Sequence, residues 1–191
     1  PTDLGIEVVG RIEKLGPDVS DFAVGDSIAT WKVGFGYRDY QVAETSRLYK
    51  VPAASPEISC LMPTGISGMV GIEQVGEMTT GETIAISAAA GGLGHIIVQV
   101  AKKAGNHVIG ICGSDDKAAR LTEIGCDRTI NYRDEDVDEV LKREYPKGID
   151  IAYDSVGGVI FDAFVNNLAV KGRLVISGYT SEVGKPWEQV T

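Results

Sequence analysis

The stretch SAAAGGLGHIIVQVAKKAG, residues 87–105, constrains the fold more than any other part of the chain. A short apolar run, Thr83 to Ser87, reads as a buried strand. Ala88, Gly91 and Gly94 follow in A-x-x-G-x-x-G spacing, with Gly92 between, and a helix runs from about Gly92 to Ala104. Lys102, Lys103 and then Gly105 suit its C-terminus, where cations offset the dipole and Gly turns the backbone. The N-terminus of such a helix presents unpaired N–H groups and a positive dipole end to an anion. Side chains would block a diphosphate there, so the turn is built from Gly and Ala. Strand, turn and helix in this order predict a dinucleotide-binding unit, with Ala90, Gly91, Gly92, Leu93 and Gly94 at the phosphates.

The chain after this motif keeps the same rhythm. His107 to Ile111 reads as a second strand, and Ser114 caps a helix from Asp115 to about Ile124 that Gly125 stops. Arg128 to Asn131 is a third strand, and Asp136 to Tyr145 a helix broken by Pro146-Lys147-Gly148. Asp150 to Asp154, Val159 to Leu168 and Arg173 to Ser177 read as strand, helix and strand. Alternating βα units predict an α/β fold, a Rossmann-type doubly wound parallel sheet. The sequence stops before a sixth strand, so the sheet is expected to be incomplete at its C-terminal side.

Residues 1 to about 60 have a different texture. Leu4 to Ile12, Ser27 to Thr30, Tyr37 to Val42 and Leu48 to Val51 alternate like strands. Gly16-Pro17, Gly25-Asp26 and Gly34-Phe35-Gly36 supply turns. Two domains are therefore expected, 1–60 and 61–191, joined through a helix from Met62 to Met78. Gly65, Gly68, Gly71 and Gly76 weaken that helix in isolation, which points either to close packing or to plain helix-on-sheet contact. The sequence starts at Pro1 without Met and reads as cut at both ends.

Charge and cysteine usage narrow the function. The 191 residues carry a net charge of −9, and Lys102-Lys103 is the longest basic run, which disfavours nucleic acid and anionic membranes as partners. No apolar run reaches membrane-spanning length. Cys60, Cys112 and Cys126 are scattered without a C-x-x-C pair, which argues for a reducing compartment: intracellular, whether cytoplasm or an organelle such as the peroxisome or mitochondrion. With His95 and His107 as the two histidines, no tetrahedral N/S site assembles from neighbours in sequence, so no metal is expected.

The end of the second strand chooses between coenzymes. NAD sites carry an acid there to bond the ribose 2′-hydroxyl. Here Ile111-Cys112-Gly113-Ser114 offers none, which admits a 2′-phosphate and favours NADP(H). Ser114, Lys117 and Arg133 are candidate phosphate donors, with Asp115 and Asp116 expected to face solvent in the first helical turn. Ligands bind outside the carboxyl ends of strands, so Ser155-Val156-Gly157 and Ser177-Gly178-Tyr179 are further coenzyme contacts.

AAAGGLG, HVIGICGSDDKAARL, IGCDRTINYR, LKREYPKGIDIAYDSVGG and KGRLVISGY together resemble the zinc-free quinone oxidoreductase branch of the medium-chain dehydrogenases/reductases. Residues 5–10 (GIEVVG), Gly25-Asp26 and Gly36 to Tyr40 extend the resemblance into the first region, which implies part of a GroES-like catalytic domain. A His that ligates zinc in the alcohol dehydrogenases is replaced by Ile6, and their four-Cys lobe is absent. By resemblance, Lys117 and Tyr132 hold the 2′-phosphate, Ser155, Ser177 and Tyr179 line the path to the nicotinamide, and Ser67 matches a Thr near the coenzyme. Gly113 stands where some relatives have Ser. The implied activity is NADPH-dependent hydride transfer to a small-molecule enone, of the 15-keto-prostaglandin kind, or to a quinone. Tyr37 and Tyr179 are the candidates for polarising the carbonyl. The substrate domain of the resembled family uses both chain ends, so the substrate pocket is expected to be partial, and homodimerisation of the full-length protein stays open. A zinc-dependent alcohol dehydrogenase and a non-catalytic NADPH-binding, crystallin-like protein are the alternatives.

Overall fold

The computed structural model describes residues 4–184 apart from Val33 and Phe35. The turn expected at Gly34-Phe35-Gly36 therefore lies partly outside the described residues. Two compact units divide the chain, residues 1–66 and 67–191.

In the first unit, strands β1 (Glu7–Arg11), β2 (Ser27–Trp31) and β3 (Tyr49–Lys50) pair antiparallel in that order, with Val9 opposite Ala29 and Ile28 opposite Lys50. Tyr37 to Val42 alternates like a strand but is irregular, with Tyr37, Tyr40 and Val42 exposed. A strand exists through its ladder, and no described strand pairs with this segment. Helix α1 (Pro56–Leu61) was not anticipated, since six residues are too few to show a helical period. Its start signals are nonetheless present: Ser55 accepts from the Ile58 N–H at 3.4 Å, and Pro56 opens the first turn.

The single helix expected over 62–78 is instead α2 (Thr64–Met69) followed by a π-helical segment, Val70–Val75, that ends at Gly76. Its glycines mark helix-on-sheet contact at short range. A β-carbon on Gly71 would lie 2.5 Å from Tyr153 Oη, and one on Gly76 would lie 3.3 Å from Val175.

The second unit runs β4 (Thr83–Ile86), α3 (Gly94–Lys103), β5 (His107–Cys112), α4 (Asp115–Glu123), β6 (Arg128–Asn131), α5 (Val137–Glu144), β7 (Ile149–Asp154), α6 (Gly158–Asn166) and β8 (Leu168–Ile176). The strands are parallel in the order β6-β5-β4-β7-β8, a Rossmann-type sheet. Successive strand residues feed opposite faces. Ile84, Ile86, Val108 and Ile151 pack with α3 and Leu121 of α4, whereas Ala85, Ile109, Ile111 and Ala152 pack with Leu141 of α5 and Phe164 of α6. Strand β8 begins earlier than Arg173, because a register shift against β7 between Ile149 and Ile151 masks its alternation. Strand order reverses between β4 and β7, which opens a crevice at their carboxyl ends. Among the described residues no helix is long and apolar enough to cross a membrane.

Candidate functional site

The crevice begins at the turn from β4 to α3. Ser87 leaves the sheet, Ala88 adopts φ +44°, and α3 starts at Gly94. A β-carbon on Gly94 would sit 2.5 Å from the Ala88 carbonyl oxygen, so only Gly lets the helix pack this close to the strand. Gly92 differs: a β-carbon there would meet nothing within 4 Å. The protein itself does not require glycine at 92, and the space beside it is open. Among the described residues the N–H groups of Gly92, Leu93 and Gly94 donate to no backbone carbonyl. These N–H groups stand at the positive end of the α3 dipole beside open space, an arrangement suited to an anion.

One wall of the crevice is the β5–α4 turn. A cleft of about 1000 Å³ runs from Ala90 and Gly91 past Gly113, Lys117 and Tyr132 to Val156 and Gly157. Ser114 caps α4, accepting from the Lys117 N–H at 3.4 Å. Asp115 accepts from Asn131 Nδ2 at 3.1 Å, and neither it nor Asp116 lines the cleft. Glu135 does line it, but Arg128 Nη2 donates to its carboxylate at 2.6 Å and holds it below the usual glutamate range. Cys112 and Cys126 are buried thiols, and burial pushes Cys126 up to about 12. Arg133 donates its N–H to Asn131 Oδ1 at 3.3 Å and is not part of the cleft wall.

The other wall is the β7–α6 turn, and it rests on a residue pair the sequence did not single out. Asp154 is fully buried. Its Oδ1 accepts from Ser87 Oγ at 2.6 Å and from the Val156 N–H at 2.9 Å, and its Oδ2 accepts from the Gly157 N–H at 3.0 Å. Ser87 Oγ in turn accepts from the Ser155 N–H at 2.8 Å. The carboxylate thus ties the ends of β4 and β7 together and shapes the turn. Its visible signal was an acid at the carboxyl end of β7, after the apolar run Ile151-Ala152-Tyr153.

The remaining candidates cluster beside this turn. Ser155 and Ser177 share a hydroxyl hydrogen bond of 2.7 Å, and a β-carbon on Gly178 would touch the Ser155 carbonyl at 3.1 Å. Tyr179 lies against Gly157, 3.5 Å from where its β-carbon would be. Ser67 is exposed on α2, one residue before Gly68, which faces Leu93 and Ile97 of α3. Gly92, Leu93, Gly94, Ser114, Ser155, Ser177, Gly178, Tyr179 and Ser67 are not in the cleft wall itself. Tyr37 is in the first unit and 80% exposed.

His95 Nδ1 is 2.8 Å from the Gly91 carbonyl, and His107 Nε2 is 3.0 Å from Tyr145 Oη. Among the described residues no three His, Cys, Asp or Glu side chains converge on a point where a metal would be held.

Residues 92–190 match the family described as zinc-binding dehydrogenase. Prostaglandin reductase-3 of Mus musculus is 43% identical over 187 residues, which is 97% of this chain and 49% of that protein. A probable quinone oxidoreductase of Leishmania amazonensis is 38% identical over 182 residues, 95% of this chain and 53% of its own. A solved mycobacterial structure complexed with NADPH superposes with a TM-score of 0.82 at 28% identity, covering 94% of this chain and 58% of that one. The chain thus spans about half the length of the curated relatives it matches.

Proposed function

The chain belongs to the medium-chain dehydrogenase/reductase family, and from that premise we propose that it carries the coenzyme site of an NADPH-dependent reductase acting on α,β-unsaturated ketones or quinones without zinc. The observation that carries the reading is the N-terminal turn of α3, where among the described residues the N–H groups of Gly92, Leu93 and Gly94 donate to no backbone carbonyl and the space beside Gly92 is open. Ala90, Gly91, Gly92, Leu93 and Gly94 take the diphosphate there, with the α3 dipole supplying the field. Gly113, Ser114, Lys117 and Tyr132 surround the adenosine 2′-phosphate. Ser155, Val156, Gly157, Ser177 and Gly178 position the nicotinamide half, with Ser67 beside it. Tyr179 is the hydroxyl candidate for the substrate oxygen in this unit, and Tyr37 the candidate in the other.

Bound NADPH supplies a hydride to the enone β-carbon, or to the quinone, and a proton completes the reduction at the other end of the conjugated system. The chain's own contribution is binding and orientation. The Ser87–Asp154 pair fixes the β7–α6 turn, which would hold the nicotinamide half of the coenzyme. The names of the relatives, prostaglandin reductase and quinone oxidoreductase, support this substrate class, including enones of the 15-keto-prostaglandin kind. In this reading residues 1–60 contribute part of a GroES-like catalytic domain and 61–191 the NADP-binding domain. Free and buried thiols at Cys112 and Cys126 support a reducing, intracellular setting, cytoplasmic or organellar. A homodimer of the longer protein is the assembly we propose.

Calorimetric titration with NADPH and NADH tests the coenzyme site. Saturable NADPH binding, tighter than NADH, is expected. An enone or quinone added with NADPH, followed at the nicotinamide absorbance with and without a zinc chelator, tests the reaction. Absence of NADPH binding at saturating concentration, or turnover that the chelator abolishes, would overturn the reading.

A further inference from the structure

Among the described residues the only buried charged side chain is Asp154, at 0% exposure. A buried charge ordinarily has a cation beside it. Among the described residues no ion pair includes Asp154. Its carboxylate meets the Ser87 hydroxyl and the N–H groups of Val156 and Gly157. All three donate, which is the hydrogen-bond pattern of an ionised carboxylate. Gly157 is also the residue that opens α6, so the helix adds a partial positive charge. These neutral donors make the burial tolerable, but none carries a full charge to cancel it. The anion stands at the carboxyl end of β7, directly before Ser155.

We propose that this uncompensated charge biases the bound coenzyme couple towards its oxidised member, so that Asp154 sets how readily hydride leaves NADPH at this site. The inference rests on the coenzyme reading above, in which the β7–α6 turn holds the nicotinamide half. A C–H bond of the neutral dihydronicotinamide breaks, and its electron pair leaves with the hydrogen for the enone β-carbon or the quinone. The ring becomes a pyridinium cation, and a solvent proton completes the reduction at the substrate oxygen. A fixed anion at the turn attracts the cationic ring and is nearly indifferent to the neutral one. An interaction that strengthens as the charge develops lowers the barrier to hydride loss. Charge and shape are separable here, because Ser87 shapes the same turn and carries no charge.

Calorimetry on the 191-residue chain tests this with NADP+, NADPH and adenosine 2′,5′-bisphosphate, which lacks the nicotinamide half. The proteins are the wild type, Asp154→Asn and Ser87→Ala, and the quantity read is Kd for NADP+ divided by Kd for NADPH. Asp154→Asn is expected to raise this ratio by about tenfold, even though its NH2 opposes the turn's N–H donors and weakens both coenzymes. Ser87→Ala removes a hydrogen bond and keeps the charge, so it should weaken both alike and leave the ratio within about twofold. An unchanged ratio in Asp154→Asn overturns the inference. An equal rise in Ser87→Ala does so too, since the shape of the turn would then be the cause. If Asp154→Asn fails to fold, Asp154→Ser takes its place under the same criterion. If neither folds, the wild type decides, and NADPH bound more than about tenfold tighter than NADP+ refutes the bias. Adenosine 2′,5′-bisphosphate bound as tightly as both dinucleotides would show that the nicotinamide half is not held, and would overturn the inference. A wild-type chain that binds none of the three would instead defeat the coenzyme reading itself.

Discussion

In the second unit a five-stranded parallel sheet is covered on both faces, and Ile84, Ile109, Ile130, Leu141 and Phe164 are all at 0% exposure. In the first unit the strands bury Ile28, Ala29 and Thr30, while Tyr37, Tyr40 and Val42 stand 80%, 75% and 92% exposed. The two units are alike in apolar content, yet they differ in how much of it leaves water. Apolar surface stabilises only when it is buried, at about 25 cal/mol per Å². The second unit is therefore where substitution should be felt, and it is also where the candidate coenzyme site sits.

The sharpest way to break that comparison is to cut one side chain from each unit. Phe164→Ala removes a ring wholly inside the α6 face of the sheet and should cost about 3–5 kcal/mol, through lost transfer energy and a cavity. Val42→Ala removes two methyls already in water and should stay within about 0.5 kcal/mol. Urea denaturation of both variants measures this. Equal losses would mean that the first unit buries Val42 in solution.

Acid should also separate the units. Hydrogen bonds from Arg128 and then Arg143 hold the Glu144 carboxyl at about 2, and Arg128 lowers Glu135 as well. A carboxylate whose folded pKa is depressed favours the folded state at pH above its unfolded value. That contribution falls away as pH drops from the ordinary glutamate value of 4.5 towards about 2. These residues join β6 to α5 in the second unit. In the first unit the lowered acids are Asp26, which accepts from the Ala23 N–H and pairs with Lys50, and the exposed Glu57, which the Ser55 side chain holds. Melting temperature followed against pH should therefore fall through this window, and Arg128→Met should flatten the slope. An unaltered slope would place the acid sensitivity elsewhere.

What could be read in advance follows the same division. Strands β4 to β7 and their helices were legible because each is a short apolar run bounded by Gly, Pro or a capping residue, as at Ser114 and Asp136. The phosphate turn was legible because its chemistry is local in sequence. Tyr37 to Val42 misled because alternation predicts a strand only where a partner strand exists. The Ser87–Asp154 bond joins residues 67 apart, and neither carries a mark of the other. Gly113 and Tyr132 were each picked out as coenzyme contacts, but that one lies on the other is a fact of the β5–β6 pairing, which sets Cys112 opposite Asn131.

The smallest effect probes strain. Among the described residues the non-glycine positions at positive φ are Glu77, Ala88 and Lys171, all in the second unit. Such backbone costs about 1 kcal/mol or more and survives only where the surroundings over-determine it. Ala88 is held by its neighbours: the Ala89 N–H donates to Ile111 at 3.0 Å, and the Gly91 N–H donates to the Ala88 carbonyl at 2.8 Å. Ala88→Gly relieves the strain but loosens the unfolded chain, and the balance should be a gain of about 0.5 kcal/mol. A melting temperature at or below wild type would show that the left-handed turn is not strained, and that the well-buried unit carries no stored cost at the edge of its cleft.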